Sequence, residues 1–286
     1  MTAQVITIGS RKGGVGKTTL TYALAAAIVK QGYDVAVVDL DPNAKGSGIS
    51  RTLRVDGENN FTIADCLLRR KDINDVIMRH PMGKDELGRD VLGMGKLWIV
   101  PGSNSLHDLG LTENLIRTTI APIREKMDYI ILDCSPHGPS LAGPFQVADM
   151  IVIPTKPDPL STAAVATTLR LARRLNVSDE NPVGCLSKIK GVALMDVRFG
   201  GIKNGRKTAQ TTTQDNLMEA FRLSKIGFDT VFWTSDAWAR GVGGNGNFPD
   251  KDQMEIANDF FNELRVREAP VKEFIQYLQI YQRGKN

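Results

Sequence analysis

Cysteine is scarce in this chain and scattered. Its three cysteines, Cys66, Cys134 and Cys185, show no metal-ligand spacing, so they read as reduced thiols of a cytosolic protein and not as a disulfide framework. Long apolar runs are also missing. The longest uncharged apolar stretch, residues 22–29, falls far short of the roughly 20 residues that cross a bilayer as a helix. The N-terminus has no basic region followed by an apolar segment, so no secretory signal is visible. There is no internal repeat and no low-complexity tract. What is present is ordinary for a globular protein: 42% apolar and 24% charged side chains over 286 residues. That is ample for a core, which excludes disorder as the dominant state, and the length allows one large domain or two small ones.

Short β-branched runs alternate with longer helical patterns along the chain. Residues 5–8, 33–39, 97–100, 129–132, 150–153, 191–194 and 230–233 read as strands, and residues 18–30, 109–126, 160–175, 211–225 and 252–265 as helices. Continuous Val/Ile/Leu strands separated by helices predict a doubly wound, mostly parallel α/β sheet covered on both faces. The expected organisation is one α/β domain over residues 1–265 with a C-terminal helical extension over 266–286. Residues 197–210 and 241–247, rich in glycine, read as surface loop and long turn.

The most specific motif is Lys12-Gly13-Gly14-Val15-Gly16-Lys17-Thr18-Thr19, between the first strand and the first helix. In that context glycine N–H groups converge on phosphate oxygens at the positive end of a helix. Lys17 would reach the β- and γ-phosphates and the Thr18 hydroxyl would bind Mg²⁺. A second motif lies in residues 129–133, an apolar strand that carries Asp133 to the carboxyl edge of the sheet, within reach of the Mg²⁺ water shell. Asp39-Leu40-Asp41-Pro42-Asn43 follows another strand; taken alone it reads equally well as a turn. The usual phosphate-loop pattern has glycine at position 11, where this chain has Arg11, and it carries an additional lysine at position 12.

At these residues the chain resembles the ParA/MinD family of deviant Walker A ATPases, and specifically the ParA branch. The resemblance covers residues 4–175. It implies that Lys12 crosses a dimer interface to the phosphates of the partner's ATP, so that ATP binding and dimerisation become one event. It also implies that Asp41 positions or activates the attacking water and that Asp39 helps hold hydrated Mg²⁺. Asn43 stands where the family has glutamine, and His137-Gly138 replace small polar residues. The strand ending near Asp196 offers Met195 or Asp196 to the adenine, with no spacing that demands it. Residues 235–245 do not match the family.

Residues 186–225 hold eight basic side chains (Lys188, Lys190, Arg198, Lys203, Arg206, Lys207, Arg222 and Lys225) against three acidic ones, leaving +5. The whole chain is at +4, so the remainder sums to −1. Local basicity without a base-reading helix fits sequence-independent contact with a phosphate backbone; a solvated lysine-bearing loop is the alternative. The resemblance implies an ATP-state homodimer on nonspecific double-stranded DNA, a cytoplasmic, nucleoid-associated location, and a ParB-like centromere-binding or cargo-adaptor partner that stimulates weak hydrolysis. Phe274, Ile275, Leu278 and Tyr281 recur at helical spacing. The polar face of that helix is mostly glutamine, which favours docking on the domain or a partner over a membrane surface. The rival functions are a MinD-like membrane-positioning ATPase and an ATP-dependent synthetase or reductase on the same loop.

Overall fold

The computed structural model describes residues 2–43, 48–55, 61–136, 139–197, 202–203, 206–207, 209–233 and 248–283. Its strands are β1 (Gln4–Ile8), β2 (Val35–Leu40), β3 (Met78–Arg79), β4 (Leu97–Val100), β5 (Tyr129–Cys134), β6 (Met150–Thr155), β7 (Ile189–Val197), β8 (Ile202–Lys203), β9 (Arg206–Lys207) and β10 (Gly227–Trp233). The helices are α1 (Lys17–Lys30), α2 (Ile49–Thr52), α3 (Ile63–Leu67), α4 (Ile73–Val76), α5 (Glu113–Arg124), α6 (Pro139–Val147), α7 (Pro159–Arg174), α8 (Ala209–Leu223), α9 (Lys251–Val266) and α10 (Val271–Arg283). Eight strands form one sheet in the order β10-β7-β6-β1-β5-β2-β4-β3, parallel throughout except for β3. The expected doubly wound α/β architecture is what the chain adopts. The antiparallel edge strand β3 is an addition, because two residues are too short to show a period in the sequence.

The strands β2, β5 and β6 are buried at every position, as apolar strands covered on both faces must be. Alternate residues feed two cores. Ile6, Ile8, Val37, Ile131 and Val152 pack under α1 and α9. Val38, Ile130, Leu132, Ile151 and Ile153 pack on the other face, with α5, α6, α7 and α10. Helix α1 packs against both the sheet and α9 and is buried almost all round, from Leu20 to Val29. Its alanines at 23, 25, 26 and 27 allow that close approach. Helix α5 shows the opposite pattern, burying only Ile116, Ile120 and Ile123 along one stripe. Helix α10 buries Phe274 and Leu278, each worth roughly 2 kcal/mol in area removed from water. The Tyr277 hydroxyl also donates to the Thr162 carbonyl of α7 at 3.4 Å.

Two readings of the sequence change. The stretch 197–210, read as loop, contains the antiparallel β8–β9 ladder pairing Ile202 with Lys207 and Lys203 with Arg206. The basic residues of 186–225 that the structure describes also do not all lie at one end of β7. Strand β7 is nine residues long, roughly 30 Å. Lys188 and Lys190 lie at its amino end, and Arg222 and Lys225 precede the amino end of the parallel strand β10. Lys203, Arg206 and Lys207 follow the carboxyl end of β7. Arg198, His137-Gly138, the unmatched stretch 235–245 and the glycine-rich turn expected at 241–247 lie outside the described residues.

Candidate nucleotide site

Strand β1 sits between β5 and β6, and the phosphate-loop residues leave its carboxyl end. Two glycines there hold backbone that side chains resist: Gly14 has φ +70° and Gly16 φ +93°. A Cβ on Gly16 would also meet Met195 at 3.1 Å. Helix α1 then starts at Lys17 with Gly16 as its cap and no side-chain cap bond. Helices α5, α7 and α9 are instead capped by Thr112, Asp158 and Asp250, each accepting a backbone N–H. The first N–H groups of α1 are therefore left for an anion, and the helix dipole favours one there. Gly13 and Gly14 are exposed, while Val15 is buried and anchors the loop. Thr19 is half-buried in the first turn of α1.

Lys17 is 7% exposed, with its Nζ donating to the Lys12 carbonyl at 3.2 Å. Burial pushes its ammonium below the ordinary lysine range, against the attraction of Asp133 and Asp41. The Thr18 hydroxyl donates to Asp133 Oδ2 at 3.2 Å. Asp133 Oδ1 is buried with no hydrogen-bond partner. Asp39 and Asp133 face each other in register across β2 and β5. Burial, and then repulsion within this carboxylate group, raises both above the usual range. Two buried carboxylates, one of them with an orphaned oxygen beside a threonine hydroxyl, make a place that a divalent cation would neutralise. The residues present fit Mg²⁺ held by Thr18 and Asp133, directly or through water.

Asp39 is placed differently from Asp133. Its Oδ2 accepts from the Ser50 N–H at 3.0 Å and from the Ser50 hydroxyl at 2.5 Å, and its Oδ1 accepts from the Asp41 N–H at 3.0 Å. The Ser50 oxygen accepts in turn from the Gly102 N–H at 3.0 Å. Asp39 thus ties the turn carrying Asp41 to α2. Asp41 Oδ1 accepts from the Asn43 N–H at 2.9 Å, an Asx turn that leaves the carboxylate half-buried at the site. Met195 lies under Gly16, and Asp196 forms a salt bridge with Lys156 at 2.8 Å.

Lys12 points away from its own loop. Its Nζ is 3.1 Å from Asp158 Oδ1 and 2.8 Å from Ser161 Oγ, at the first turn of α7. Sequence reasoning missed Asp158, Ser161 and Ser50. Asp158-Pro159 signals a helix start, but nothing local says that a lysine 146 residues away joins it.

Away from the loop, Lys188 Nζ donates to the Gln146 carbonyl at 2.7 Å and Lys190 Nζ to the Arg267 carbonyl at 2.8 Å. These are the carbonyls that end α6 and α9, so both ammonium groups serve helix termini. Arg222 pairs with Glu219 at 3.3 Å on the surface. No helix among the described residues is long and apolar enough to cross a membrane.

The AAA domain family AAA_31 matches residues 3–182. The Myxococcus xanthus chromosome partitioning protein ParA is 29% identical over 53% of this chain and 51% of its own length. The Thermotoga maritima septum site-determining protein MinD is 26% identical over 62% of this chain and 60% of its own. The Methanocaldococcus jannaschii protein MJECL24 is 29% identical over 62% and 68%. The chain thus spans between half and about two thirds of these relatives. Among solved structures, the ATP complex of a substituted Cyanothece McdA superposes with a TM-score of 0.71 at 15% identity, covering 93% of this chain and 97% of that one. A putative plasmid partition protein from Borrelia burgdorferi bound to AMPPNP gives 0.67 at 21%, covering 92% and 98%. Cobyrinic acid a,c-diamide synthase from Mycobacterium smegmatis, with bound ATP analogue and magnesium, gives 0.64 at 18%, covering 94% and 98%. At these identities the structural likeness establishes the fold. The family match, together with the doubled lysine of the phosphate loop, places the chain in the AAA_31 family of AAA domains, among the ATP-binding P-loop ATPases of the ParA/MinD group.

Proposed function

We propose that this protein is a nucleotide-switched ATPase of the partition type. It binds Mg²⁺-ATP, closes into a homodimer, holds nonspecific double-stranded DNA in that state, and resets by hydrolysis. The observation that carries the reading is the division of labour between two lysines. Lys17 is buried inside the loop, where the phosphates of its own nucleotide would sit, whereas the Lys12 ammonium is held outside it on α7. A loop already provided with its cis lysine does not need the second one for its own nucleotide, which leaves it to a partner's.

In the proposed cycle Gly13, Gly14, Val15, Gly16, Lys17, Thr18 and Thr19 bind the phosphates through backbone N–H groups, the Lys17 ammonium and the α1 N-terminus. Mg²⁺, when bound, neutralises charge on the β- and γ-phosphates. Asp41 orients the attacking water and takes its proton as the water oxygen bonds to the γ-phosphorus and ADP leaves. Lys12 of the partner neutralises charge on the phosphoryl group in flight. Asp39 acts through Asp41, whose N–H it holds.

The DNA contact is assigned to Arg198, Lys203, Arg206 and Lys207, which follow the carboxyl end of β7. Lys188, Lys190, Arg222 and Lys225 are left out of it, since they lie at the other end of the sheet. A ParB-like centromere-binding or cargo-adaptor protein would stimulate hydrolysis, with a plasmid, a chromosome region or another assembly as cargo, in the cytoplasm and on the nucleoid. The membrane-positioning alternative needs a free apolar face on α10, and Phe274 and Leu278 of that face are buried against the domain.

The test is a fluorescence-anisotropy titration of a random-sequence duplex at fixed salt, in Mg²⁺-ATP and in Mg²⁺-ADP, with acidic liposomes as a control surface. Binding in ATP alone is expected, with a steep salt dependence that flattens by about one charge for each of Lys203, Arg206 and Lys207 replaced by alanine. DNA affinity that ignores the nucleotide, or liposome binding in its place, would contradict the reading.

A further inference from the structure

The contact that holds Lys12 is a closed network. Asp158 caps α7, its Oδ1 accepting from the Ser161 N–H at 2.8 Å and its Oδ2 accepting from the Ser161 hydroxyl. The Ser161 proton is thereby committed, which turns an oxygen lone pair toward the Lys12 ammonium at 2.8 Å, while Asp158 Oδ1 takes a second lysine proton at 3.1 Å. Both charged side chains remain partly solvated, at 31% exposure for Lys12 and 40% for Asp158. An ion pair of that exposure is worth a factor of a few in an equilibrium. That is enough to choose among the orientations of a flexible four-carbon side chain, and too little to compete with a triphosphate.

We propose that Asp158 and Ser161 are positioning residues that park Lys12 on its own subunit until a partner's nucleotide takes it. This rests on the reading of Lys12 as a ligand in trans. Closing the dimer breaks one such contact in each protomer, so the cost of release enters twice and sets the ATP-dependent monomer–dimer equilibrium. The two residues tune how readily ATP is converted into a dimer without touching the nucleotide in the monomer.

Two variants test this in the full chain. Asp158→Asn keeps a side-chain oxygen for the α7 cap and removes the charge; Ser161→Ala removes the hydroxyl. In nucleotide-free protein, the rate of reductive methylation at Lys12, read by peptide mass spectrometry, should rise several-fold in both variants, with Lys17 unchanged. With Mg²⁺ and a non-hydrolysable ATP analogue, sedimentation should show a dimer about three- to tenfold tighter than the wild type. An unchanged or weaker dimer in both variants would overturn the proposal, as would unchanged Lys12 reactivity. Lys12→Ala separates the two levels. If it loses the ATP dimer while the Asp158 and Ser161 variants fail to tighten theirs, only the parking role falls. If Lys12→Ala dimerises like the wild type, the reading of Lys12 in trans falls with it.

Discussion

At the carboxyl edge of the sheet, Asp133 keeps one buried carboxylate oxygen without a partner, and α1 begins with no side chain on its first N–H groups. At the amino edge the polar groups are spent on the fold. Lys188 and Lys190 donate to the carbonyls that end α6 and α9, and Arg267 donates to Lys190 O at 2.8 Å and to Lys225 O at 3.2 Å. His80, just past β3, accepts from the Met82 N–H through Nδ1 at 3.1 Å and bonds the Leu53 backbone. The same kinds of side chain thus do opposite work roughly a strand length apart. Where every donor and acceptor is satisfied internally, a charge stabilises the fold. Where a buried valence is left open, the fold holds a place for a charge that comes from outside.

Substitutions at the two edges should separate binding from stability. The largest effect is expected at the carboxyl edge, where Lys17→Met removes the buried cation inside the loop. ATP affinity, measured with a fluorescent analogue, should fall at least 100-fold while the urea midpoint stays level or rises, because a desolvated ammonium is lost. A large drop in midpoint would show that Lys17 is a structural charge like those at the other edge.

A second effect comes from His80, which is 2% exposed and whose imidazole burial holds down to a pKa of about 4. The Nδ1 that accepts from Met82 has no room for a proton without losing that bond. The unfolded chain takes up a proton near pH 6.5, which the folded chain refuses until about pH 4. Stability should therefore be full above pH 6.5 and fall by about 3 kcal/mol as pH drops to 4. In His80→Asn, urea unfolding across that window should lose this share of the pH dependence; an unchanged slope would show that the imidazole titrates freely in the fold.

The smallest effect is expected at the helix ends. Lys188→Met and Lys190→Met each leave a carbonyl unpaired and should cost about 1 kcal/mol of stability. Nucleotide-dependent DNA affinity should not change, so a tenfold loss in either variant would return these lysines to the DNA surface.

The sequence showed the engine more clearly than the wiring. Apolar runs and the glycine–lysine motif marked the strands and the loop because both are local signals: a strand has a period, and a phosphate turn needs glycine at fixed offsets. Asp133 was legible for the same reason, as the last carboxylate on an apolar strand. The partners of Lys12 and Asp39 were not legible. Asp158 and Ser161 meet Lys12 only because β6 lies beside β1, and Ser50 meets Asp39 only because α2 turns back over β2. The basic stretch 186–225 reads as one patch along the chain, whereas the nine residues of β7 separate Lys188 and Lys190 from Lys203, Arg206 and Lys207. Charge counted along a sequence says nothing about which edge it reaches.

The most direct test of the central claim is sedimentation equilibrium of the wild type and Lys12→Ala, each with Mg²⁺-ATP and with Mg²⁺-ADP. The account predicts a dimer for the wild type in ATP only, and a monomer for Lys12→Ala in both, with its ATP affinity retained through Lys17. A wild type that stays monomeric while saturated with ATP, or a Lys12→Ala variant that dimerises as well as the wild type, would contradict it.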